Sequence, residues 1–130
     1  MASPSPLLAT GLVAIGGGIG AALRFHLGRA IGPLAGGFPA ATLTANVGGS
    51  LAMGLLAGWL ARHGTGGESL RLLLGVGLLG GFTTFSAFSL EMMLLIERGQ
   101  AGMAIGYAAA SVAAGLLGLY LGLLVMRATA

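Results

Sequence analysis

The amino-acid sequence predicts an all-α membrane protein, a single domain over residues 1–130 with four transmembrane helices, the third broken at mid-membrane. Three observations carry that expectation. Of the 130 residues 56% are hydrophobic and 7% charged, whereas a soluble domain carries roughly 25% charged residues. The charges are not scattered but mark the ends of four uncharged runs. The otherwise apolar stretch between Arg71 and Glu97 holds Gly80-Gly81-Phe82-Thr83-Thr84-Phe85-Ser86-Ala87-Phe88-Ser89 near its middle, which continues a helix poorly.

The first run, Leu7 to Leu23, is followed by Arg24, Arg29, Pro33 and the Gly36-Gly37 pair. The residues before it, Met-Ala-Ser-Pro-Ser-Pro, lack the positive start of a signal peptide, so Leu7 onward reads as a retained helix. Phe38 to Ala61 forms the second run and ends at Arg62, where Arg62 to Ser69 reads as a polar loop. Leu72 to Leu90 forms the third, closed by Glu91, Glu97 and Arg98; Gly99 to Met126 forms the fourth, closed by Arg127. About 20 residues span a bilayer as a helix. Each run meets that length, giving helices at about 7–29, 38–61, 70–97 and 100–127.

The Gly-Gly and Thr-Thr steps of the third helix work against it. Each glycine costs about 1 kcal/mol relative to alanine in a helix interior. Backbone loosened at membrane depth must be satisfied by protein, water or an ion, so the break reads as a binding site. Other chemistry finds little support. The chain has no cysteine, which removes disulfides and thiolate sites. Its basic balance, six arginines against three glutamates, lacks a basic cluster and fits a membrane protein with no nucleic-acid partner. Gly16-Gly17-Gly18-Ile19-Gly20 has neither the Lys-Ser/Thr of a phosphate loop nor a flanking strand. No nucleophile–base pair appears, and His26 and His63, read as lying in loops on opposite sides, cannot share a metal within one subunit. The chain does not read as an enzyme.

Four helices put both termini on one side. Arg62, Arg71 and Arg127 then lie toward that side and Arg24, Arg29 and Arg98 toward the other, three against three. The excess of Lys and Arg sets orientation, and here neither side wins. Either the chain inserts both ways, or one loop outweighs another, or Arg71 and Arg24 lie too deep to count. Oppositely inserted copies can pair about a two-fold axis in the membrane plane as an antiparallel homodimer. Glycines recur at four-residue spacing in every run: Gly16/Gly20, Gly54/Gly58, Gly77/Gly81, Gly102/Gly106 and Gly118/Gly122. Small residues one turn apart let helix backbones approach where lipid offers no hydrophobic contrast.

Polar residues form stripes. Thr42, Asn46 and Ser50 share one face of the second helix, and Tyr107 and Ser111 share a face of the fourth, continued by Gly115, Gly118 and Gly122. Thr84, Phe85, Phe88 and Ser89 group on the third, with Glu91 and Met92 below. Such hydroxyls can simply join helices, and Phe85 and Phe88 at this spacing can be ordinary core. Glu91, the one acid placed inside the membrane, is either functional or a helix-end carboxylate reaching the interface.

With Thr42-Leu43-Thr44-Ala45-Asn46-Val47-Gly48-Gly49, the run from Gly77 to Ser89, and Gly20-Ala21-Ala22-Leu23-Arg24-Phe25, the chain resembles the bacterial fluoride channels of the CrcB/Fluc family. The resemblance covers all four helices. It implies a dual-topology antiparallel homodimer in the bacterial inner membrane, with two parallel fluoride pores. By position it implies Phe85 and Phe88 as the ring edges facing the ion, Asn46 at the pore, and Tyr107 and Ser111 as the fourth-helix polar track. Thr42 and Glu91 match polar positions along the route, and Thr84 and Ser86 add hydroxyls from the motif. Gly80 and Thr83 match the residues whose main-chain carbonyls hold a structural Na+ on the dimer axis, and Arg24 matches a vestibule arginine. Two positions depart from the family: Ala87 where Thr is usual, and Gly115 where many relatives carry Ser or Thr. The function this implies is passive, fluoride-selective efflux that lowers cytoplasmic fluoride. The alternative, a small four-helix dual-topology exporter of the multidrug-resistance type, needs a glutamate in the first helix, and Leu7 to Leu23 has none.

Overall fold

The computed structural model describes residues 3–129, so Met1 and Ala2 of the N-terminal segment read above lie outside it. Among the described residues, four helices are long and apolar enough to cross a membrane: Pro6–Ile31, Ala40–His63, Glu68–Glu97 and Ala101–Ala128. The first, α1 (Pro6–Ile31), starts where Ser5 Oγ accepts the Leu8 N–H at 3.2 Å and Pro6 takes the first turn. The hydroxyl satisfies one orphan donor, and proline there forfeits no hydrogen bond. α2 (Ala40–His63) runs two residues beyond Ala61. The expected Arg62–Ser69 loop is therefore shorter in the structure: a 3-10 turn at Gly64–Gly67 leads directly into helix at Glu68. A two-pronged salt bridge from Arg71 to Glu68, 2.9 Å on each prong, closes that first turn. Both histidines lie in helices rather than loops. His26 meets the Phe25 ring edge-on within α1, and His63 ends α2 stacked on Trp59 with centroids 3.9 Å apart.

The third span is the irregular one. After α3 (Glu68–Leu70) the chain winds as a π-helix over Arg71–Leu79 and returns to α-helix in α4 (Gly80–Phe82). The Gly80 N–H reaches the Gly75 carbonyl, five residues back. Thr83 is then extended (φ −87°, ψ 159°), and helix resumes as α5 (Ser86–Glu97). The sequence pattern does not reveal the π winding, because its leucines suit either winding. The last helix is α6 (Ala101–Ala128).

Two helix pairs dominate the packing: α1 against the π-helical segment and α4, and α2 against α6. Both are backbone-to-backbone approaches through glycine. A side chain at Gly16 would overlap the Leu73 carbonyl oxygen, and one at Gly20 that of Leu78; one at Gly81 would overlap the Gly17 carbonyl oxygen, and Gly77 is in close contact with α1. In the other pair a side chain at Gly54 would overlap the Leu119 carbonyl, and Gly118 and Gly122 press on Val47 and Leu51. The Gly102/Gly106 pair differs. A methyl group at Gly102 or Gly106 would meet nothing within 4 Å, so these two glycines do not pack the chain against itself. Leu7, Ile15, Ile105 and Leu116 are among the many large apolar side chains that stay exposed. Helices apolar on every side belong in lipid.

Gly20→Val and Gly122→Val should each destabilise the fold by about 1–3 kcal/mol through overpacking, whereas Gly106→Ala should hold or slightly raise stability. Thermal unfolding in detergent checks this: the midpoint drops for the first two and not for the third.

Candidate functional site

The interruption between α4 and α5 frees backbone groups that an apolar surrounding cannot satisfy. One side chain from another helix takes most of that load. Asn46, one turn beyond Thr42 on α2, donates from Nδ2 to the Thr84 carbonyl at 3.0 Å and accepts the Thr84 N–H on Oδ1 at 2.8 Å. Its amide acts as a substitute peptide, pairing with donor and acceptor together and leaving one N–H of Nδ2 unused. The Thr84 hydroxyl accepts the Ala87 N–H at 3.2 Å and so caps α5. Thr83 Oγ1 donates to the Leu79 carbonyl at 2.9 Å, and Arg24 Nε donates to the Gly81 carbonyl at 3.3 Å.

These bonds have a consequence for two carbonyls. In a continuous helix the Thr84 N–H would serve Gly80 and the Ala87 N–H would serve Thr83. Here the first goes to Asn46 and the second to the Thr84 hydroxyl. Gly80 and Thr83 line an open cavity of about 460 Å³ together with Asn46, Ser50, Thr84 and Phe85. Phe85 is 79% exposed at its edge.

A second group of residues lies on the α5 side. Glu91 accepts the Thr42 hydroxyl at 2.8 Å on one oxygen and the Tyr107 hydroxyl at 2.9 Å on the other. The carboxylate is thus engaged between α2 and α6. Tyr107 is fully buried and Thr42 buried. The Phe88 ring stands 5.0 Å from Tyr107 and 5.9 Å from Phe85, while Phe38 meets Tyr107 edge-on at 5.5 Å. Phe85, Phe88 and Tyr107 therefore form a continuous aromatic line from the break to Glu91. Ser111 Oγ is buried with no hydrogen-bond partner, and Ser86 is exposed in the first turn of α5.

Arg24 lines a further cavity of about 460 Å³ whose walls also carry Arg29, Arg98, Thr42 and Glu91. Most of the residues singled out in the sequence thus fall along one or other of two cavities, with Phe88, Tyr107, Ser111 and Ser86 outside both linings. Sequence reasoning did not single out Phe38, Arg29 or Arg98 as site residues. The arginines carried a usable signal, since the topology already set both on the same side as Arg24. Phe38 carried none, because its place against Tyr107 depends on how the α1–α2 connection folds.

This arrangement defines a multi-pass membrane protein with a line of polar and aromatic side chains running from the helix break to Glu91. A family model described as "CrcB-like protein, Camphor Resistance (CrcB)" matches residues 11–123. The chain is 65% identical over 127 residues to the fluoride-specific ion channel FluC of Novosphingobium aromaticivorans, covering 95% of this chain and 100% of that one. It is 50% identical to the proteins of the same name from Methylobacterium sp. (strain 4-46), covering 93% of this chain and 98% of the relative, and from Caulobacter vibrioides, covering 89% and 93%. The chain belongs to the CrcB family of bacterial membrane proteins.

Asn46→Leu removes both bonds to Thr84 and leaves two backbone groups without partners. At about 1–3 kcal/mol for each unsatisfied group, the variant should lose roughly 2–6 kcal/mol, read as a shift of the denaturation midpoint in mild detergent.

Proposed function

We propose that the chain is a fluoride-selective channel, mediating passive fluoride efflux that lowers cytoplasmic fluoride. The observation that carries this is the Asn46–Thr84 clamp. It holds the helix open between α4 and α5 and sets Phe85 at the cavity edge beside Phe88, Tyr107 and Glu91. Fluoride is small and strongly hydrated, so a pore must replace its water with donors that do not hold it too tightly. The unused N–H of Asn46 and the unpartnered Ser111 hydroxyl are neutral donors of that kind. Aromatic rings carry a positive edge and a negative face, so Phe85 and Phe88 can present edges to an anion while attracting no cation there.

The working unit in this reading is a dual-topology antiparallel homodimer with two pores. The even division of arginines supports it, and so does Phe85, a large apolar side chain left exposed beside a polar cavity in the single chain. A central Na+ fits the donor set: the Gly80 and Thr83 carbonyls have lost their helical donors to Asn46 and Thr84, and both residues line one cavity. Carbonyl oxygens suit a hard cation. When bound it would supply a positive charge at the break, offsetting the negative ends of the freed carbonyl dipoles.

Purified protein in liposomes loaded with potassium fluoride or potassium chloride, with a potassium ionophore present, tests the reading. Fluoride should leave and chloride should stay; absent or equal flux would sink it. Phe85→Ile or Phe88→Ile should slow fluoride efflux roughly tenfold, equivalent to about 1.4 kcal/mol, with the dimer intact on size exclusion. Because the chain has no cysteine, Thr129→Cys gives a single thiol. An impermeant maleimide should label it from either side of the membrane if both orientations insert.

A further inference from the structure

A concentration of positive charge lies at the Glu91 end of the aromatic line. Arg24 and Arg29 of α1 and Arg98, just past α5, converge on one cavity of about 460 Å³. Glu91 is the only acid on its walls, so three guanidinium groups face one carboxylate, a net of two positive charges. Among the described residues the one salt bridge is Glu68–Arg71, at the opposite end of the third span, so none of these three arginines is neutralised by an ion pair.

Two of the three are also held in place. Arg24 Nε donates to the Gly81 carbonyl at 3.3 Å and Arg98 Nε to the Leu94 carbonyl at 3.2 Å. Each bond fixes the inner nitrogen and leaves the terminal Nη pair without a protein partner. Gly37 makes room for this: its φ is 80°, and a side chain there would come within 3.0 Å of Arg98 Nη1. Arg29 lies with its guanidinium carbon 6.0 Å from the Phe25 ring centroid and makes no hydrogen bond among the described residues.

We infer that this cavity binds a phosphate group. A guanidinium presents paired N–H donors that match two oxygens of a phosphate, and donors from separate helix ends can meet separate oxygens of a tetrahedral anion. A monatomic anion offers a single acceptor centre and gains less. At the floor, Glu91 has both oxygens engaged by Thr42 and Tyr107, and its charge opposes a dianion moving deeper. The group therefore stops at the arginines. Free orthophosphate and the headgroup of an anionic phospholipid share this chemistry. That a bound phosphate would hinder fluoride access rests on the channel reading; the binding does not.

The test measures binding without flux. Inorganic phosphate is titrated into detergent-solubilised protein by calorimetry at constant ionic strength, with chloride as the control anion. In a second arm, the protein is reconstituted in nanodiscs of phosphatidylcholine with or without phosphatidylglycerol, and retained lipid is counted by native mass spectrometry. Saturable phosphate binding that Arg98→Gln or Arg29→Gln weakens roughly tenfold or more, and that Arg98→Lys partly restores, supports the site with a soluble ligand. Retention of phosphatidylglycerol that the same variants abolish supports it with a lipid. If neither is bound, or binding is the same in Arg29→Gln, Arg98→Gln and the wild type, the inference is overturned. Phosphate binding without fluoride efflux in liposomes would overturn the channel reading and leave this one standing.

Discussion

A helix interrupted in apolar surroundings must have its exposed peptide groups satisfied, and in this chain that requirement falls on Asn46. A buried peptide group left without a partner costs about 1–3 kcal/mol. Thr84 presents a donor and an acceptor together at the interruption. Among side chains, an amide supplies both partners in one plane. Everything downstream depends on that substitution: the start of α5, the outward turn of Phe85, the approach of Phe88 to Tyr107 and the position of Glu91 between α2 and α6. Asn46 therefore builds the cavity as well as lining it, and one N–H of its amide makes no bond among the described residues.

The glycines work at a different level. They bring the helix axes close enough for short polar side chains to reach across. Thr42 meets Glu91 and Asn46 meets Thr84 only because α2 is held near the third span. α1 in turn lies directly on the π-helical segment through Gly16 and Gly20, which sets Arg24 within reach of the Gly81 carbonyl. Close packing and the polar bonds are thus one construction: without contact at the glycines, the hydrogen bonds would need longer side chains with more rotamer freedom to lose.

Much of the architecture was legible because it follows from charge spacing alone. Four uncharged runs of sufficient length give four helices, and the Gly-Gly and Thr-Thr steps mark the weak point of the third. The second-helix stripe was legible too, since Thr42, Asn46 and Ser50 recur at one turn and meet the third span or its cavity. What could not be read was which donor meets which acceptor. Asn46 looks the same in sequence whether its amide faces an ion or a peptide group, and the π winding of Arg71–Leu79 leaves no mark in a run of leucines and glycines. The glycine pattern misled in one place. Gly102 and Gly106 have the spacing of a packing pair yet face no part of their own chain, because spacing identifies a face and says nothing of what covers it.

Ala87 and Gly115, the two positions that the sequence resemblance marks as unusual, can be argued from the same geometry. Ala87 contributes its N–H to the Thr84 hydroxyl, so the capping bond of α5 needs only its backbone. A methyl group suffices there for the helix start, and the missing hydroxyl removes a polar group without removing a bond. Gly115 faces Ser50: a Cβ at that position would sit 3.6 Å from Ser50 Oγ. A hydroxyl on α6 at this level would stand beside one that α2 already supplies. Ser50 lines the same cavity as Asn46 and Thr84, so the polar surface continues on α2 past the point where α6 turns to glycine. The exchange follows from packing, since Gly118 and Gly122, one and two turns further along α6, are pressed against the α2 backbone at Val47 and Leu51. A helix that must lie that close to its neighbour has little space for side chains on the shared face, and the neighbour is where a hydroxyl can be kept.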